Sequence, residues 1–185
     1  MSGFQLHTPE SAPEQARALL QGARDKMGFV PNLYAHLAGA PAALEAYFGL
    51  SAQFDKTSFN PVERQVILLA VSVENGCEFC VAAHSMIARR MAKAPDAVVD
   101  ALRDRETIPE ARLQALATFT RAMVRERGLV AEVPLQAFLK AGFTHQQALE
   151  VVLGVTMKTL SNYANHLTKT QTNAEFAHEA WHLPA

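Results

Sequence analysis

Between Pro61 and Glu74 the chain reads PVERQVILLAVSVE, and the eight-residue run VILLAVSV from Val66 to Val73 has almost no polar side. A helix that is apolar nearly all round cannot sit on a solvated surface, so it belongs at the centre of a bundle or at a contact between subunits. Eight residues fall far short of the roughly 20 that cross a bilayer, and the burial must be supplied by protein. The start of this helix is written plainly. Asn60 is a cap, Pro61 stands at the first helical position, and Glu63 is placed to reach back and complete a capping box. The helix should end near Gly76.

The rest of the chain has to surround that element. No stretch alternates as a strand would, whereas several carry apolar residues three and four apart. Helices are expected from Pro13 to about Lys26, closed by Gly28 and Pro31, and from Pro41 to about Phe54. Others follow over Cys80 to Met91, from Pro95, through IPEARLQALATFTRAMVRERG to Gly128, and through PLQAFLKAG to Gly142. The last is capped by Thr144, with Gln147 in the capping-box position. The expectation is one all-α domain over residues 1–185, with a polar tail from about 168 to 185 that is either a docking arm or a frayed end. Met86, Met91, Met123 and Met157 read as core filler.

Composition narrows the function. Seventeen Lys and Arg balance eighteen Asp and Glu, and no basic block is available to hold a phosphate backbone, so nucleic acid is not an expected partner. The first residues lack a basic start followed by an apolar segment, and the expectation is a soluble, cytoplasmic chain without a membrane span. Charged residues make up only 19%, which suggests surface buried between copies in a homo-oligomer. Two cysteines cannot build a disulfide framework; in a reducing compartment, a Cys-x-x-Cys pair more often does redox or metal chemistry.

That pair lies in ENGCEFCVAAH, residues 74–84. If Gly76 breaks one helix and Cys80 lies in the first turn of the next, the free amides and positive dipole end of that helix favour a thiolate. A cysteine so placed can fall from a pKa of about 8.5 into a range of roughly 3.5 to 7.5. His84, four residues after Cys80, shares its helix face and can exchange a proton with it. Glu74, three before Cys77, sits at the carboxyl end of the preceding helix, where a carboxylate holds a proton more readily. Redox chemistry, a metal site and inert packing all remain open at this point. Zinc lacks a fourth ligand unless His166 returns to the motif from the last long helix.

A low pKa is not sufficient for catalysis. Lowering a thiol from about 8.5 to about 6 raises its thiolate fraction at neutral pH from roughly 3% to roughly 90%, but nucleophilicity falls with a Brønsted slope of about 0.4 to 0.5. The net gain is a few-fold. Reducing a peroxide also needs an acid placed to protonate the departing oxygen, worth roughly a hundred-fold or more.

The segment NPVERQVILLAVSVENGCEFCVAAHS resembles the core of the alkylhydroperoxidase D-like proteins of the carboxymuconolactone decarboxylase family. Their Glu-x-x-x-Cys-x-x-Cys-x-x-x-His signature stands here as Glu74, Cys77, Cys80 and His84. The resemblance implies an all-α homo-oligomer, trimer or hexamer, with no metal or organic cofactor. It implies a peroxidase in which Cys80 becomes a sulfenic acid, Cys77 condenses with it to a disulfide, His84 serves the proton relay and a dithiol donor restores the thiols. Two positions depart from the pattern. Gln65 and Phe79 stand where the best-studied members carry a glutamate and a histidine, leaving Glu63 and Glu74 as substitutes.

Plainer readings stand beside these. Glu74 reads equally as a solvated helix-end carboxylate, and Glu63 as a cap rather than a catalyst. Asn162, Asn165 and His166 read first as an interhelix hydrogen-bond or subunit contact and second as pocket lining. The rival functions are a lyase acting on a lactone acid and a non-enzymatic redox-sensing module.

Overall fold

A computed structural model describes residues 3–183. Among them the chain forms α1 (Glu14–Met27), α2 (Asn32–Leu37), α3 (Pro41–Phe54), α4 (Pro61–Glu74), α5 (Glu78–Arg90), α6 (Asp96–Arg103), α7 (Ala111–Arg125), α8 (Glu132–Lys140) and α9 (His145–Thr168), then a 3-10 turn at Ala174–Glu179. There is no strand among the described residues.

The apolar helix is the centre of the bundle. Every residue of α4 from Val66 to Val73 is buried, against α5, α6, α7 and α9. Its capping box forms as the sequence indicates: the Asn60 side chain accepts from the Glu63 amide at 2.9 Å, and the Glu63 carboxylate accepts from the Asn60 amide at 3.0 Å. At the other end Gly76 takes φ 67°, the left-handed conformation glycine adopts without cost, and the chain reverses into α5. The Cys77 amide donates to the Ser72 carbonyl at 2.9 Å, which places Cys77 as the residue preceding α5 and Cys80 in its first turn.

Opposite that turn lies α9, begun by the Thr144–Gln147 capping box. Gly154 lets it lie close: a Cβ there would meet Ile67 Cγ2 and Phe54 Cε2, each at 2.8 Å. This close approach to α3 and α4 brings the following turns of α9 against α5.

One element differs from the sequence reading, and another decides between two alternatives it left open. Asn32–Leu37 forms a short helix immediately after Pro31, buried through Leu33, Ala35 and Leu37 and packed on α9. The tail is docked, not frayed. Phe176 meets Phe79 edge to face at 5.3 Å, Glu179 pairs with Arg89 at 3.1 Å, and the Trp181 indole donates to the Arg103 carbonyl at 3.1 Å. Met1, Ser2, Pro184 and Ala185 lie outside the described residues. Of the methionines read as core, Met157 is buried and Met86 and Met123 pack against the core, but Met91 at the end of α5 is 72% exposed. No helix among the described residues is long and apolar enough to cross a membrane.

Candidate active site

Cys77 and Cys80 are free thiols, each 1% exposed. Cys80 nevertheless forms part of the wall of a partly open cavity of about 210 Å³. Nearly half of that wall is aromatic or thioether, including Phe29, Tyr34, Tyr47, Phe79, Met157 and Phe176, while Ser51, Asp55, Gln65, His84 and Lys158 bring polar groups to it. Burial pushes the phenols of Tyr34 and Tyr47 upward, so both are neutral O–H groups. Cys77 faces a separate, shallower cleft of about 280 Å³ that it shares with Glu78, Asn165, His166 and Lys169.

The α9 face opposite the thiols is polar and buried. Lys158, Ser161, Asn162 and Asn165 recur at helical spacing along it. Asn165 Nδ2 donates to Cys80 Sγ at 3.2 Å and to Cys77 Sγ at 3.6 Å, so one amide ties both sulfurs together. Ser161 Oγ lies 4.0 Å from Cys80 Sγ. Lys158 is 1% exposed and pairs with no carboxylate among the described residues.

A buried ammonium without a counter-ion costs several kcal/mol. Cys80 and Asp55 line the same cavity as Lys158, and the Lys158 charge acts on the Cys80 thiol. Burial by itself pushes the Cys80 thiol up, but the neighbouring Cys77 thiol, the Lys158 charge and the polar Lys158 and Ser161 side chains together hold it well below the usual thiol range. The opposite applies to Cys77. Acting as donor to Cys80, buried, and beside the Cys80 charge, it is pushed far up. These opposed shifts favour the charge on Cys80, at the positive end of α5, over Cys77.

His84 Nδ1 lies 3.0 Å from Gln65 Oε1. Burial, and secondarily the Lys158 charge, hold its pKa well below the ordinary value, so the ring is neutral. A neutral ring facing an amide oxygen donates from Nδ1, which leaves Nε2 as an acceptor. Gln65 thus stands against His84 but contributes no negative charge.

The carboxylates expected as substitutes are elsewhere. Glu74 is not brought to the thiols: it ends α4 facing α7, and its Oε1 accepts from Arg125 Nε at 2.6 Å. Glu63 serves the cap and accepts from Arg112 Nε at 3.1 Å, the Arg112 guanidinium lying 3.8 Å from the centre of the Phe143 ring. His166 lines the Cys77 cleft, and no group of three or more His, Cys, Asp or Glu among the described residues is arranged to hold a metal ion. Asn162 forms the expected interhelix bond, accepting from Asn75 Nδ2 at 3.0 Å, whereas Asn165 belongs to the site itself. Lys158 and Ser161 did not stand out in the sequence. The available signal was their place on the same α9 stripe as Asn162 and Asn165.

Comparison with known proteins bears on the fold and the family. The model of the carboxymuconolactone decarboxylase family matches residues 38–122. No curated protein matches the sequence. The fold resembles the alkylhydroperoxidase AhpD core of a peroxidase-related protein from Ralstonia eutropha JMP134, with TM-score 0.83, 26% identity, and coverage of 94% of this chain and 93% of that one. A peroxidase-related protein from Silicibacter sp. TM1040 has TM-score 0.77 and 21% identity, covering 89% and 87%. The debrominase Bmp8, solved as a variant with 2,3,4-tribromopyrrole, has TM-score 0.77 and 17% identity, covering 95% and 94%.

Proposed function

We propose that this alkylhydroperoxidase D-like chain, with its carboxymuconolactone decarboxylase family segment at residues 38–122, is a thiol peroxidase that reduces organic hydroperoxides at Cys80. The observation that carries the reading is the buried Lys158 facing the same cavity as Cys80, with Asn165 donating to both sulfurs. The Cys80 thiolate attacks the terminal peroxide oxygen, the O–O bond breaks, and the departing alkoxide takes a proton. Lys158 is the charged donor in the cavity; His84, neutral with Nε2 free, is an acceptor that can pass the proton on. The products are an alcohol and a sulfenic acid on Cys80. The Cys77 thiol then attacks that sulfur, water leaves, and a disulfide joins the pair. A dithiol donor returns two electrons and two protons. Residues 149, 152, 163 and 167 leave an exposed apolar row along α9, which supports assembly into a homo-oligomer.

The test is turnover of cumene hydroperoxide with excess dithiothreitol, alongside a free-thiol count after peroxide alone. The reading expects loss of two thiols per chain in the wild type, and no turnover in Cys80→Ser. Thiols left intact while a lactone acid releases carbon dioxide would establish the lyase instead. Oxidation without turnover, accompanied by a change in subunit number, would establish the redox sensor.

A second reading is favoured by the ring-lined cavity and the likeness to a debrominase. The same two thiols can reduce a carbon–halogen bond of a haloarene: the arene gains hydrogen, halide leaves, and the disulfide forms. Release of bromide from a bromopyrrole in the same assay, without peroxide consumption, would select it.

A further inference from the structure

The cavity beside Cys80 shares a wall with a second hollow. Met27, Tyr34, Ser51, Met86 and Ile87 line both it and that hollow, which measures about 440 Å³ and lies between α1, α3 and α5. Leu19, Gly22, Ala23, Phe48 and Met91 complete much of that hollow, and Lys26 is the one charged residue in its lining. Met27 and Met91, 39% and 72% exposed, project to solvent. Gln65, His84, Lys158 and Asp55 lie in the inner cavity, and the outer hollow is mainly hydrocarbon, thioether and aromatic, with Lys26, Ser51 and the Tyr34 hydroxyl as its polar groups.

Size and chemistry both bear on what fills this space. Sites for organic ligands measure roughly 300–1,000 Å³. The 210 Å³ cavity is smaller than that by itself, and with the adjoining 440 Å³ it falls within the range. Methionines from both sides are unbranched and polarizable, and they adapt to a chain of no fixed shape. Such a lining offers little to orient a sugar, a nucleotide or a peptide backbone. Hydrogen peroxide would leave it empty.

We propose that the hollow between α1, α3 and α5 binds the hydrocarbon portion of the substrate, so that Cys80 acts preferentially on hydroperoxides of long-chain fatty acids. This deepens the thiol-peroxidase reading and rests on it. The peroxide group sits at Cys80, and the chain passes Tyr34 and Ile87 and lies along Leu19, Gly22 and Met91.

Gly22 provides the test, because a Cβ added there meets nothing within 4 Å. Gly22→Leu projects into the hollow and also replaces a poor helix former within α1. Each methylene buried in full is worth about four-fold in affinity, and about two-fold when half-buried. Six half-buried methylenes therefore give roughly 60-fold. The experiment compares kcat/KM for linoleic acid hydroperoxide and tert-butyl hydroperoxide. The expected ratio is at least about 30 in the wild type and falls about ten-fold in Gly22→Leu. A wild-type ratio near one, or a ratio unmoved by the substitution, overturns the proposal. Calorimetric binding of unoxidised linoleic acid separates this from the chemistry. Binding to the wild type that weakens in Gly22→Leu supports the groove even if neither peroxide is consumed; no binding to the wild type overturns it.

Discussion

Replacing Lys158 with methionine keeps the length and the apolar stem of the side chain and removes the charge that faces Cys80. An opposite charge within about 4–6 Å lowers the pKa of an acid by about one to three units, or about 1.4–4 kcal/mol. For a thiol raised from about 6 to about 8, the thiolate fraction at pH 7 falls about ten-fold, while nucleophilicity grows by six- to ten-fold at a Brønsted slope of about 0.4 to 0.5. The two effects nearly cancel, so the alkylation rate at a single neutral pH would reveal little. The informative quantity is the midpoint of the pH–rate profile, followed by mass spectrometry of the Cys80 peptide during reaction with iodoacetamide. In the wild type that midpoint lies below the ordinary thiol value, and in Lys158→Met it moves up by about two units. Peroxide turnover falls further, by about a hundred-fold or more, because the proton donor is lost as well. Unfolding does not explain such a loss. With the ammonium gone, Cys80 protonates, and a neutral thiol beside a methionine is no less stable in the core than the ion pair was. A midpoint displaced by less than about half a unit would refute the assignment of Lys158 as the counter-ion.

Three other substitutions probe the surroundings. Gln65→Glu places a carboxylate against His84 Nδ1, which raises the imidazole pKa by about one to three units and brings the ring closer to acting as a proton donor; NMR titration of His84 would show it, and an unchanged ring pKa would count against the contact. His84 is held neutral in the folded chain, so below about pH 6.5 the unfolded state binds a proton that the folded state refuses, and stability falls with acid at up to about 1.4 kcal/mol per pH unit. That stability is fully present above about pH 6.5, and urea midpoints between pH 7 and 5 should show a flatter acid limb in His84→Asn. Gly154→Ala drives a methyl to 2.8 Å from Ile67 and Phe54; the strain of about 1–3 kcal/mol exceeds the helix-propensity gain of up to about 1 kcal/mol, and Tm should drop by several degrees.

Much of the fold was legible because local chemistry and the global arrangement agree. Asn60 with Glu63 and Thr144 with Gln147 mark two helix starts, and both capping boxes form. The run from Val66 to Val73 demanded a central position and has one. Asn32–Leu37 was not legible, because six residues carry too little periodicity and its three buried residues find their partners across the fold, on α9 among others. The tail was ambiguous for the same reason, since its anchors Arg89 and Arg103 come from α5 and α6. At the site, adjacency in sequence located Cys77, Cys80 and His84, but it also suggested Glu74, whose carboxylate is taken by Arg125. Lys158 was hidden because a lysine on a helix ordinarily faces water. Its burial goes with the close seat of α9 permitted by Gly154, a tertiary fact whose one local trace is the polar stripe Lys158 shares with Asn162 and Asn165.

The central claim is that Cys80, and not Cys77, carries the reactive anion. Treat Cys77→Ser and Cys80→Ser separately with one equivalent of cumene hydroperoxide in the presence of dimedone, and locate the adduct by mass spectrometry. The account predicts a dimedone adduct on Cys80 in the first variant and an unmodified Cys77 thiol in the second. An adduct on Cys77, or on neither sulfur while peroxide disappears, would contradict it.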